Sequence, residues 1–131
     1  MTFFFDRCVG VQIPQALLAF KRFPVEIRYH QEVFGRGRES LPDDAWMEPV
    51  AERGWVAVTQ DYRFHRVGVT REAVRQHKAS VFYLWGASAQ AWEATRVFLW
   101  ALPRMIERVQ DTEPPYVFRI ERSSRIRAVS L

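Results

Sequence analysis

One cysteine, Cys8, stands in a chain of 131 residues, and it excludes an internal disulfide. The simplest setting for such a chain is a reducing compartment, so a cytoplasmic protein is expected. Lysine is nearly absent: Lys21 and Lys78 are the only two, and arginine supplies the rest of the basic side chains behind a net charge of +4. Arginine suits bidentate recognition of phosphate better than lysine does, although a compositional bias towards arginine accounts for the same numbers. No apolar run approaches the ~20 residues of a membrane-spanning helix. The start, Met1-Thr2-Phe3, lacks the basic segment and long apolar core of a secretory leader. Histidine is limited to His30, His65 and His77, without zinc spacing, and one cysteine supports no structural zinc site. Gly35 to Gly37 lacks the Lys and Ser/Thr of a phosphate-binding P-loop, which argues against nucleoside triphosphate binding.

Short apolar strands alternating with helical patterns make up what is present. The length fits one domain, 1–131, large enough to fold on its own core. Phe3-Phe4-Phe5 reads as a buried strand. A helix follows from Pro14, with Ile13, Leu17 and Phe20 spaced for one buried face. Val25 to Tyr29 alternates as a strand near a sheet edge, and Gly35 to Ser40 reads as a loop. Pro42-Asp43-Asp44 opens a helix with Trp46, Met47, Val50 and Ala51 inward; Pro49 must lie in its first turn or kink it, and Arg53-Gly54 ends it. Trp55 to Thr59 is a strand, Thr70 the expected cap of the next helix, and Val81 to Trp85 another strand.

Ser88 is the expected cap of the longest helix, which runs towards Val109. Trp92, Thr95, Phe98, Leu99, Leu102 and Ile106 form its apolar stripe, and Pro103 is expected to kink or split it. Trp46, Trp92 and Trp100 are assigned to the core rather than to base stacking. Tyr116 to Ile120 is a strand with Tyr116, Phe118 and Ile120 on one face; Ser123-Ser124 turns the chain into a returning strand, Arg125 to Val129. This order predicts an α/β fold with a mainly parallel sheet and a C-terminal β-hairpin. Strand order is left open.

Two aspartates carry the chemistry. Asp6 ends the first strand and Asp61 follows the Trp55–Thr59 strand. In open α/β sheets ligands bind outside the carboxyl ends of the strands. Two carboxylates meeting there repel unless a cation lies between them, and hard divalent ions take carboxylate ligands and favour phosphate substrates. Either aspartate also serves simply to start a turn.

Phe3-Phe4-Phe5-Asp6-Arg7, Leu41 to Met47, and Gly54 to Phe64 with its Thr59-Gln60-Asp61 segment resemble the PIN-like domains, in particular the VapC-like branch of toxin ribonucleases. Ala101 to Ile106 and Pro115 to Ile120 extend the likeness over nearly the whole chain. The resemblance implies a three-layer α/β/α fold and Mg²⁺- or Mn²⁺-dependent cleavage of RNA, commonly by the toxin of a toxin–antitoxin pair. It implies Asp6, Asp43 and Asp61 as the catalytic acids, with no fourth acid matched. The mechanism expected is metal-assisted phosphodiester hydrolysis. Asp6, Asp43, Asp44 and Asp61 are the candidate metal ligands, Thr59 positions a water or the substrate, and Arg7, Arg63 and Arg66 hold phosphates. Asp43 equally serves as a helix cap, and Asp44 as a first-turn acid. RNA, an antitoxin protein and a second copy of the chain are the implied partners. The competing reading is a non-catalytic PIN-like module that binds RNA or a protein.

Overall fold

Three consecutive phenylalanines place the centre of the sheet. The structure, a computed structural model, describes residues 1–35, 43–61, 63 and 68–131, with residues 43, 44, 68 and 69 described at the backbone only. Strand β1, Thr2–Phe5, leads through a 3-10 turn, Arg7–Val9, into α1, Gln12–Leu18. Strand β2, Glu26–Tyr29, passes directly into the short helix α2, His30–Phe34. Then come α3, Asp43–Glu52; β3, Val56–Thr59; α4, Gly68–His77; β4, Ser80–Leu84; and α5, Ala91–Asp111. The chain closes with β5, Tyr116–Ile120, and β6, Ile126–Val129.

The six strands form one sheet in the order β2-β1-β3-β4-β5-β6. The first five are parallel, and β6 returns antiparallel to β5 as the predicted hairpin. Alternation along each strand divides the core between the two faces. Phe3, Phe5, Val58, Phe82, Leu84, Phe118 and Ile120 pack with Ile13 and Leu17 of α1 and with Val97, Phe98, Ala101 and Met105 of α5. Phe4, Ala57, Val81 and Val117 face the other way, onto Trp46, Met47 and Val50 of α3 and Val74 of α4. The result is the expected α/β/α arrangement. Among the described residues no helix is long and apolar enough to cross a membrane.

Several local expectations are corrected. Phe20 lies past the end of α1, 52% exposed, and stacks on Phe23 instead of entering the core. Of the two places expected for Pro49, the first turn is ruled out: it sits inside α3, which continues to Glu52. Thr70 lies inside α4, which begins at Gly68, and is buried rather than acting as the cap. The cap of α5 is Gln90, not Ser88: its side chain accepts from the third-residue amide while Glu93 reaches back to the Gln90 N–H, a reciprocal capping box. Pro103 does not split α5. The buried stripe of α5 runs through Ala94, Val97, Phe98, Ala101, Leu102 and Met105, leaving Trp92 and Trp100 in solvent. Of the loop predicted at Gly35–Ser40, only Gly35 lies within the described residues.

Candidate active site

The strand order decides where a site belongs. Moving from β1, the chain goes outward to β2 and then crosses back to β3 on β1's other side. The carboxyl ends of β1 and β3 therefore flank the point where the winding reverses, which is where such sheets open a ligand crevice. Phe5 pairs in register with Val58, so Asp6 and Thr59 emerge side by side.

Asp6 is 3% exposed and is bound into the sheet through its N–H, which donates to the Val58 carbonyl at 3.0 Å. Its side chain caps the 3-10 turn by accepting from the Cys8 amide at 2.9 Å on Oδ1. The turn-starting role and the site role thus coexist in one carboxylate. Oδ2 accepts from the hydroxyl of Thr59 at 2.7 Å, with the Cys8 thiol 3.5 Å away. Thr59 is fully buried, and its Oγ1 also accepts from the Asp61 amide at 3.0 Å. One hydroxyl therefore ties the acid of β1 to the backbone carrying the acid after β3. This places Thr59 as a partner of Asp6 more directly than of a substrate.

Asp61 is held from its other side. Its Oδ1 accepts from the Arg63 amide at 3.0 Å, and the Arg63 guanidinium donates to both carboxylate oxygens, Nε to Oδ2 at 2.9 Å. The pair is fork-like and charge-assisted. It keeps a positive group at the mouth of the crevice and fixes the Asp61 carboxylate, so Arg63 is already engaged before any phosphate arrives.

Cys8 is the site residue that sequence reasoning missed. As a residue it is exposed, yet its sulfur lies 3.4 Å from Thr59 Oγ1 and accepts from the Gln60 amide at 3.4 Å. Burial of the sulfur, reinforced by the negative charge of Asp6, pushes its pKa up to about 12, so it is present as a neutral thiol. The available signal was its position two residues after Asp6, the spacing at which an aspartate side chain bonds the following backbone and brings the next side chain alongside.

Asp43 and Asp44 form the first turn of α3. The end of that helix meets the start of β3, where the Trp55 amide donates to the Val50 carbonyl at 3.1 Å. The helix consequently runs back across the sheet and begins at the carboxyl edge, the same edge as Asp6. Their side chains, and Arg66 entirely, lie outside the described residues. Arg7 is half-buried in the turn directly after Asp6.

The donor set suits a hard divalent cation. Asp6 and Asp61 offer carboxylate oxygens, and Asp6 retains acceptor capacity beyond its present donors. Among the described residues no three His, Cys, Asp or Glu side chains cluster as a complete metal cage. Magnesium does not require one, because it keeps several waters and binds through one or two carboxylates plus substrate phosphate.

No curated protein and no solved structure matches the chain. Residues 1–86 match a family model described as a PIN like domain. That stretch carries β1 to β4 and both strand ends from which Asp6, Thr59 and Asp61 arise, and by it the chain belongs to the PIN-like domain family, a family of nuclease-type modules.

Proposed function

We propose that the protein, as a single domain over residues 1–131, is a metal-dependent ribonuclease of the VapC-like branch, acting in the cytoplasm as the toxin of a toxin–antitoxin pair. The observation that carries this reading is the buried Asp6 carboxylate at the winding reversal, joined through Thr59 to the segment bearing Asp61. PIN-like domains generally use divalent metal ions and commonly act on RNA.

Asp6 and Asp61 would hold Mg²⁺ or Mn²⁺, with Asp43 or Asp44 completing the set from the start of α3. When bound, such an ion makes water a better nucleophile and stabilises the departing oxygen of a phosphodiester. Thr59 keeps the Asp6 carboxylate in one orientation by donating to Oδ2. The chain's arginines Arg7, Arg63 and Arg66 would orient the substrate phosphate. Arg63 has to share its guanidinium between Asp61 and that phosphate, which couples substrate arrival to the position of Asp61. A homodimer is the proposed assembly. An antitoxin would block the acidic crevice with a basic side chain, as charge complementarity favours.

The second reading is a PIN-like module that binds RNA or a protein without cleaving. It is favoured by the described acids: Asp6 and Asp61 stand at the site without a third beside them, and Asp61 is already neutralised by Arg63. Calorimetry with Mn²⁺ and Mg²⁺ on wild type, Asp6→Asn and Asp61→Asn separates the two. Binding that either substitution abolishes, together with cleavage of single-stranded RNA lost in Asp6→Asn, supports the ribonuclease. Metal-independent RNA binding without cleavage supports the second reading.

A further inference from the structure

Solvent-exposed tryptophan is the feature of this molecule that the site does not use. Trp92 and Trp100 on α5 are 64% and 73% exposed. Arg96 lies between them in sequence and is also exposed, with no ion-pair partner among the described residues. The spacing i, i+4, i+8 lines the three on one helix face over a rise of ~12 Å. Trp92 is fixed in place: its indole N–H donates to Gln90 Oε1 at 2.8 Å, so its polar edge is satisfied and an apolar plane is left to solvent. The face borders a groove of about 980 Å³ between α5 and α1, floored by Leu99 and Ala16.

The location matters as much as the composition. Thr59 pairs in register with Tyr83, near the carboxyl end of β4, and α5 starts shortly after β4. Helix α1 begins shortly after Asp6 and packs against α5. The groove therefore opens at the same edge of the sheet as the Asp6 site.

We propose that the Trp92–Arg96–Trp100 face of α5 is a track for single-stranded RNA leading to the Asp6 site, an inference that rests on the ribonuclease reading. Unpaired bases have faces to lay on tryptophan, and aromatic platforms alternating with a cation that meets the backbone are the means by which proteins hold single strands without reading sequence. The charge agrees, since an exposed arginine and a net charge of +4 favour a polyanion. A second copy of the chain fits less well. A two-fold pairing of this face that sets Trp92 against the partner's Trp100 also sets Arg96 against the partner's Arg96, two like charges on the axis.

The test is fluorescence anisotropy with a short labelled oligouridine, using Asp6→Asn as the parent so that the probe is not consumed. Trp92→Ala and Trp100→Ala each weaken binding by ~5–150-fold, and Arg96→Gln lowers the salt dependence by about 0.7 in log–log slope. All three positions are exposed, and circular dichroism checks that each variant is folded. If the parent binds and the tryptophan variants bind equally well, the track is wrong and the ribonuclease reading stands. If the parent does not bind RNA at all, the track falls, and cleavage of the same oligouridine by wild type with Mn²⁺ decides the ribonuclease reading separately. If sedimentation shows a dimer that Trp100→Ala converts to monomer, the face is a protein interface and the track is overturned.

Discussion

Replacing Thr59 with valine removes one oxygen atom from the interior and almost nothing else. The side chain is fully buried and nearly isosteric with valine, so the change deletes two strong hydrogen bonds and a weak one with the Cys8 sulfur without opening a cavity. The first is the donor to Asp6 Oδ2 at 2.7 Å, the second the acceptor for the Asp61 amide at 3.0 Å. A hydrogen bond to a charged group contributes roughly 1.5–3 kcal/mol and an ordinary one about 1, so Thr59→Val is expected to cost roughly 2–4 kcal/mol. At a typical unfolding entropy this corresponds to a melting temperature lower by roughly 7–14 °C. Thr59→Ser keeps the hydroxyl and loses a buried methyl, which should cost only about 1 kcal/mol. Urea unfolding of the three proteins measures both differences. Because Thr59 orients the carboxylate proposed to hold the metal, Thr59→Val should also weaken Mn²⁺ binding by ~10–100-fold. A valine variant as stable as the serine variant would refute the argument that this hydroxyl holds the two strand ends together.

Two further outcomes are expected. Gly86 has φ of +113°, and a Cβ there would stand 2.9 Å from the Ala94 Cβ in the first turn of α5; Gly86→Ala should therefore destabilise by at least about 2 kcal/mol in urea unfolding, while Gly35→Ala, with open space around it, should cost less. Cys8, pushed up to about 12 by burial and by the Asp6 charge, should react slowly with a disulfide reagent at pH 8, where ~10⁻⁴ of it is thiolate. Because the folded state holds this proton more tightly than the unfolded chain, the associated stabilisation is whole below pH ~9 and is lost as the pH rises towards 12. Labelling as fast in the folded protein as in urea would contradict the assignment.

The parts of the fold that depend on local pattern were legible in the sequence. Phe3-Phe4-Phe5, Val56 to Thr59 and Tyr116 to Ile120 declare strands because short β-favouring apolar runs have few other uses, and the hairpin after Ile120 was marked by its serine turn. The adjacency of β1 and β3 was not legible, since pairing between parallel strands is fixed by crossovers and packing rather than by the strands' own residues. The stripe of α5 misled for a specific reason. Counting tryptophan as core shifted the apolar face towards Trp92, whereas the sheet beneath Phe3 and Phe82 admits small residues, and Ala94 and Ala101 take those places. Gln90 escaped notice as a cap because glutamine seldom serves as one; the Glu93 partner three residues on was the available clue. At the site, Asp6 could be picked out by its place after an apolar run, whereas Cys8 offered only its place two residues on, because its contact with Thr59 joins residues 51 positions apart.

The family match ends at Gly86, but the sheet does not. Strand β4 is paired on one side to β3 and on the other to β5, and the face formed by Phe82 and Leu84 is roofed by Phe98 and Met105. A chain cut at the limit of the match would retain Asp6, Thr59 and Asp61, and with them the proposed site. It would also turn β4 from an interior strand into a bare, hydrophobic edge, with Phe82 and Leu84 uncovered along an unpaired backbone, the form of edge that recruits further strands into aggregates. The last third of the molecule thus acts as the seal that keeps the first four strands from polymerising.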